Sequence, residues 1–251
     1  MRLLAMAAGA ACLATAWGAG AQEAALDRPS IVVTGSGEAE SAPDTFTVTA
    51  GVEGRGPDQV AALQGLAARQ HSVMDGLRRL EGLTRSELTT GEVKVEGTYD
   101  PACGGSGYDR DTTDCPVVGY VASMSVTLRA SPVDRAGDAV SLAAELGARG
   151  TSISWTGLDD MSALRQQANE AAFADARRQA DVLAAASGQR IVRVLRIQDP
   201  SARAITIARD EATQIDEVVV VGVRARPRIS LEVAPPPVSA ESRVTVFFEI
   251  E

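Results

Sequence analysis

The chain has 251 residues, of which 45% are hydrophobic, and it carries a formal net charge of -9. Nucleic-acid binding requires a basic face that displaces counterions, and here the arginines are interleaved with carboxylates, so the charge argues against a nucleic-acid partner. The length is enough for one elaborate domain or two small ones.

Residues 1–21 have the pattern of a secretory signal peptide. Arg2 supplies a positive start, the following run is apolar, and Ala19-Gly20-Ala21 presents small residues for cleavage before Gln22. The apolar run is short for a membrane anchor, and the residues before Cys12 depart from a lipoprotein signal. We therefore predict a periplasmic protein with no transmembrane segment in the mature chain.

The first predicted elements are a strand and a helix. Phe46, Val48, Ala50 and Val52 alternate with threonine and glycine, which is typical of a strand with one buried face. Pro57 fits the first turn of the helix, Gly82 ends it, and a further strand is expected around 88–97. The predicted buried stripe of this helix consists of Val60, Leu63, Leu66, Val73, Leu77 and Leu80.

A glycine-rich loop at 101–116 contains Cys103 and Cys115. After signal cleavage these are the remaining cysteines, in a compartment where disulfides persist, and we predict that they form one. A redox or metal-binding pair is the alternative, but the spacing is not Cys-x-x-Cys and no histidine is near. The acidic residues of the loop are expected to be solvated. The alternative is that they bind calcium, although their spacing departs from the EF-hand pattern. These acidic residues are Asp109, Asp111 and Asp114.

The second half begins with a strand over 120–128 that buries Ala122, Met124, Val126 and Leu128. A helix then starts with Ser131 as its cap and Pro132 and Asp134 in its first turn. A short strand with Ile153 and Trp155 precedes a third helix, which Gly188 ends, and 191–197 is the next strand. The predicted stripe of the second helix is Ala136, Val140, Ala143 and Leu146. The predicted stripe of the third helix is Leu164, Ala168, Ala172, Ala176, Ala180 and Ala184.

This order of elements predicts an α+β fold with a mixed, partly antiparallel sheet covered by helices. An internal duplication is a further hypothesis, in which a strand pair and helix at 31–80 are echoed by strand, helix and strand at 118–156. No residue motif repeats between the two halves.

Few residues are candidates for a catalytic or ligand-binding site. Gly35-Ser36-Gly37 is not followed by a helix, so a turn or bulge is favoured over a phosphate site. His71, the sole histidine, is expected to be satisfied or exposed on the first helix. Asp159-Asp160 precedes a helix, where the pair is expected to favour its positive end rather than to act as catalytic carboxylates. We predict no catalytic residue, cofactor or metal.

Several segments in a fixed order resemble the SIMPL-domain family, a family of periplasmic and outer-membrane-associated immunogenic proteins that is also called domain of unknown function 541. The segments are Val33 to Ala39 (VTGSGEA), Pro43-Asp44, Gly119-Tyr120, the alanine-rich block from Ala174 to Gly188, and a closing strand from Arg243 to Ile250. The resemblance spans 30–250. The chain departs from the family in the cysteine loop and in an insertion-like segment at 199–240.

The resemblance implies a periplasmic α+β protein that assembles into large homo-oligomeric rings, supports tolerance of oxidative and envelope stress, and has no settled enzymatic activity. We therefore expect a non-enzymatic oligomer, with a cell-envelope protein as a further partner. The alternative is a binding adaptor for an outer-membrane component, with 216–240 as its contact. In that region Val218 to Val223 reads as an ordinary strand or as an edge for β-augmentation. A hydrolase or metal-dependent enzyme is a distant third class.

Overall fold

The computed structural model describes residues 28–100, 115–199 and 224–251. Within them the chain forms three α-helices and eight strands, and the strands lie in two antiparallel sheets rather than one. The α+β fold class is therefore confirmed. The strands are β1 (Ser30–Ser41), β2 (Thr45–Gly56), β3 (Arg85–Thr90), β4 (Lys94–Tyr99), β5 (Val117–Ser131), β6 (Arg149–Gly157), β7 (Ile191–Gln198) and β8 (Val238–Ile250). The helices are α1 (Gln59–Arg78), α2 (Ala136–Glu145) and α3 (Ser162–Ala186).

The larger sheet has five strands in the order β3-β5-β2-β6, with β4 also paired to β5. Helix α1 connects β2 to β3 and helix α2 connects β5 to β6, so two split β-α-β units interlock in one sheet. This topological repeat covers 45–99 and 117–157, whereas the first half of the duplication hypothesis, 31–80, includes β1, which lies in the other sheet. The strand predicted around 88–97 is two strands, because β3 and β4 pair with different parts of β5.

One face of the five-stranded sheet forms the main core. The predicted alternation is confirmed in both central strands, because the residues expected inside are buried against α1 and α2. These residues are Phe46, Val48, Ala50, Val52, Ala122, Met124, Val126 and Leu128.

The stripe predicted for α1 is partly wrong. Leu66, Val73 and Leu77 are buried, but Val60 is 64% exposed and Leu63 is 41% exposed. The reason is the start of the helix: the Asp58 carboxylate accepts a hydrogen bond from the Ala61 N–H at 2.8 Å, so the helix begins at Gln59 and turns Ala62 toward the sheet.

The start predicted for α2 is also wrong. A 3-10 turn over Val133–Arg135 comes first, and α2 begins at Ala136 without a side-chain cap. The Ser131 hydroxyl instead lies 2.9 Å from the Thr45 hydroxyl on β2. Ala136 and Ala143 are buried as predicted, whereas Val140 and Leu146 are half-buried.

The smaller sheet has three strands in the order β1-β8-β7. It joins the two ends of the described chain, since β1 pairs with β8 from Ser30–Glu249 to Ser41–Val238. Strands β1 and β2 follow each other in sequence but lie in different sheets, so the strand pair expected within 31–80 does not form between them. Helix α3 covers this sheet with the whole predicted stripe buried, from Leu164 to Ala184.

Other predictions fall on residues without a described structure. The signal peptide at 1–21, the three acidic residues of the loop, Cys103 and the strand Val218 to Val223 lie outside the described residues. Among the residues that are described, no helix is both long and apolar enough for a membrane span.

Candidate functional site

The Gly35-Ser36-Gly37 segment lies in the middle of β1 and forms neither a turn nor a bulge, so that prediction was wrong. A Cβ at Gly35 would lie 2.2 Å from the Ala172 carbonyl oxygen, and one at Gly37 would lie 2.2 Å from the Ala172 nitrogen. Only glycine permits so close an approach of two backbones. The two glycines of β1 therefore pack directly against the alanines of α3.

Polar side chains of α3 cover the outer edge of β1 at the same place. The Ser36 N–H donates to Asp175 Oδ2 at 3.1 Å, and Gln179 Nε2 donates to the Thr34 carbonyl at 3.3 Å. The Ser36 N–H, together with Gln179 and Arg178, holds the pKa of Asp175 below its usual value. The middle of this edge strand is thus closed to other strands.

A second contact of the same kind joins β2 to α1. A Cβ at Gly54 would lie 2.0 Å from the Leu66 nitrogen, and one at Gly56 would lie 2.5 Å from the Ala61 Cβ. This pair was not predicted from the sequence. Its signal was available, because Gly54 and Gly56 have the same spacing as Gly35 and Gly37 and precede a helix that contains alanines.

The Pro43-Asp44 motif lies at the junction between the two sheets. Asp44 Oδ1 accepts the Asp159 N–H at 2.8 Å and the Thr45 hydroxyl at 2.9 Å, while the Asp44 N–H donates to the Gly157 carbonyl at 2.9 Å. The motif therefore fixes the turn that leads from β6 into α3.

A shallow cavity of about 230 Å³ opens beside this junction. Asp159 forms ion pairs with Arg85 and, at 3.6 Å, with Arg129, and the Arg129 guanidinium lies 5.2 Å from the centre of the Trp155 ring. Glu87 also lines the cavity, so its charges balance. Both arginines are already paired with Asp159, and the lining residues include no activated nucleophile or base.

The two adjacent aspartates have different partners. Asp160 accepts the Ser162 hydroxyl at 2.7 Å and the Ser162 N–H at 2.8 Å, and these bonds lower the pKa of Asp160. Asp160 therefore acts at the start of α3, where its charge favours the positive helix end. Asp159 instead belongs to the ion-pair cluster, which the sequence did not reveal.

The other candidates from the sequence are the histidine, a metal site and the cysteine pair, and none of them forms a site among the described residues. His71 is exposed on α1. No described group of three histidine, cysteine, aspartate or glutamate side chains could hold a metal ion. Cys115 is half-buried just before β5, and because Cys103 lies outside the described residues, the disulfide stays a prediction.

The described part of the 199–240 segment packs on the five-stranded unit. Ala225 exchanges backbone hydrogen bonds with Arg79 and Glu81, and the Ser230 hydroxyl donates to the buried Asp138 at 2.6 Å. The segment then enters β8 at Val238. Of the adaptor contact expected at 216–240, residues 224–240 are described and residues 216–223 lie outside the described residues.

Both edges of the three-stranded sheet lack a second strand partner among the described residues. Within the described residues β1 and β7 each pair with β8 alone. Strand β7 also exposes apolar side chains, since Val192 is 49% exposed and Ile197 is 55% exposed. Helix α3 lies over β1 and β8, so these side chains are left uncovered. Such an edge is a template for another strand.

A family model described as SIMPL, a protein of unknown function (DUF541), matches residues 31–248. No curated protein matches the chain. The matched span takes in the glycine segment of β1, the junction at Pro43-Asp44 and the whole of α3, and it leaves only the outermost residues of the described fold unmatched. The chain belongs to the SIMPL family.

Proposed function

We propose that this chain is an exported, non-enzymatic SIMPL protein that works as a homo-oligomer and supports the cell envelope under oxidative or envelope stress. The observation that carries the proposal is the three-stranded sheet, whose last strand β7 has one described neighbour and exposes Val192 and Ile197. Exposed apolar side chains next to unpaired backbone groups favour association with another strand.

The residues that identify the family support an assembly role better than a catalytic one. Gly35 and Gly37 permit backbone contact, Asp175 binds a strand N–H, and Asp44 binds the turn before α3. These side chains are engaged in holding the fold. The backbone edges of β1 and β7, by contrast, pair with no described strand other than β8.

The proposed location in the periplasm is supported by the apolar segment and the small residues before Gln22. Cell fractionation, with intact-mass analysis of the exported protein, tests it. We expect a periplasmic protein that begins at Gln22 and contains no free thiol. A cytoplasmic protein that keeps residues 1–21 would contradict the proposal.

The stress role requires a genetic test. A strain without the gene is expected to survive peroxide and envelope-disrupting detergent less well, and export of the wild-type protein should restore survival. A variant that folds but does not assemble should fail to restore it. Equal survival with and without the gene would refute the stress role, and rescue by the unassembled variant would refute the role of assembly.

A further inference from the structure

We infer that the subunits of the oligomer associate head to tail, with β7 of one copy lying against the 37–41 part of β1 in the next copy. This inference rests on the proposed homo-oligomer and names its contact. The partner is a second copy of this chain, chosen by the charges on the two edges of the three-stranded sheet.

The edge of β1 is available only in part. Its middle is closed, because Asp175 and Gln179 of α3 bind the backbone of Ser36 and Thr34. Beyond these contacts β1 continues to Ser41 as an edge strand. A strand that adds to β1 beyond these contacts, toward Ser41, meets Gly37 and the residues that follow it.

The accessible part of β1 is acidic, since Glu38 and Glu40 are both exposed there. They point away from α3, because Glu38 is in register with Glu241 and alternates with Gly37, which contacts the helix. No ion pair of Glu38 or Glu40 with another described residue occurs. Two carboxylates thus lie without a cationic partner in the described structure.

The opposite edge is basic, and its charges lie on the same face of the sheet. Arg196 is in register with Phe247 and Arg193 with Glu249, and both of these β8 residues face away from α3. Arg193 is already bound to Glu249, whereas Arg196 lies over the Phe247 ring at 5.7 Å. Arg196 is therefore the cation best placed to meet Glu38 or Glu40 of another copy.

Two different edges make the contact heterologous, because each copy offers one acidic edge and one basic edge. Repetition of such a contact produces a ring if the rotation between copies closes and a filament if it does not. Like charges brought together at an interface suppress it, and complementary charges restore it. This property allows a test by exchange of charges.

The test uses protein that begins at Gln22 and compares three preparations by sedimentation velocity at micromolar concentration. The first is the variant Glu38→Arg with Glu40→Arg, the second is Arg196→Glu, and the third is an equal mixture of the two. We expect each variant alone to dissociate, with association weakened roughly tenfold or more. The mixture should associate again, because an arginine edge then meets a glutamate edge at one contact and the native edges meet at the other.

A matched control carries the same change in net charge elsewhere. Glu92→Arg with Glu232→Arg alters two exposed carboxylates away from the edges of the three-stranded sheet, and it should assemble as the wild type does. Circular dichroism checks that every variant is folded. A monomeric wild type would refute the proposed assembly itself. An oligomeric wild type whose edge variants also assemble, or whose variants do not associate when mixed, would overturn this contact while the homo-oligomer stands.

Discussion

The two sheets are joined to their helices by the same glycine contact, but they are stabilised by different amounts of side-chain burial. On the five-stranded sheet the helices contribute Leu66, Val73 and Leu77 to a large core. On the three-stranded sheet α3 contributes mainly alanines, and Phe248 is the one aromatic side chain among the fully buried residues of that cluster. One unit depends on buried side-chain area, and the other depends on close backbone approach.

This difference has a consequence for stability. The hydrophobic contribution grows with the apolar area that is buried, at about 25 cal/mol per Å², and an alanine stripe buries little. Both sheets have edge strands, and in the unit with the smaller core these are β1 and β7. Association through these edges would therefore stabilise the part of the fold that has the least burial of its own.

The largest effect is expected from Phe248→Ala. Removal of a buried phenylalanine costs about 3–5 kcal/mol, and the other buried residues of the small cluster are alanines and valines. Urea unfolding followed by circular dichroism should show an early loss of signal. The fluorescence of Trp155, on β6 of the other sheet, should change later, and protein that begins at Gln22 has no other tryptophan.

The matched substitution is Phe46→Ala, in the core of the five-stranded sheet. Here the Trp155 signal should move to lower urea together with the circular dichroism. If Phe248→Ala leaves the two signals coincident, the sheets unfold as one unit and the contrast drawn between them is wrong.

The glycine contact itself is tested by Gly35→Ala and Gly37→Ala. Each added Cβ would lie about 2.2 Å from backbone atoms of α3, and relief requires the helix to move, so we expect a loss of about 3 kcal/mol. The control is Gly65→Ala on α1, where the nearest atom would be 3.4 Å away. A tolerated Gly35→Ala, measured by urea unfolding, would show that close approach does not hold this unit.

A smaller effect, which depends on pH, is expected from Asp175→Asn. The pKa of Asp175 is held below its usual value in the fold, so its contribution is present above the unfolded pKa and is lost as the pH falls through the folded pKa. The wild type should be the more stable protein at neutral pH, and the difference in melting temperature should vanish in acid. The control is the exposed Asp134, where substitution by asparagine should change the melting temperature little.

The smallest effect is expected from His71→Ala. The side chain is exposed on α1, so stability should change by no more than about 0.5 kcal/mol. Assembly should be unchanged as well. A clear loss of either, in thermal melts or sedimentation, would reveal a role for the sole histidine that neither sheet explains.

The sequence predicted the periodic elements well and the contacts between them poorly. The stripe of α3 and the alternation in β2 and β5 were readable because helix and strand periods place those residues on one face. The assignment of β1 and β2 to different sheets was not readable, since it depends on pairing with β8 at the other end of the chain.

The main features of the candidate site were missed for a related reason. The local pattern predicted a turn or bulge at Gly35 and Gly37. Glycine is needed there because the backbone of α3, more than a hundred residues later in the chain, packs directly against β1. The pairing of Asp159 with Arg85 and Arg129 likewise joins three separate elements. Single-sequence patterns carry little information about such distant partners.

The measurement that tests the account most directly is the absolute mass of the oxidised protein from Gln22 onward, by light scattering after size exclusion, with negative-stain images of the same peak. The account predicts a discrete mass that is a multiple of the subunit mass, with particles that repeat one contact between subunits. A monomer over the micromolar range would contradict the proposed assembly and, with it, the role given to the two edges of the three-stranded sheet.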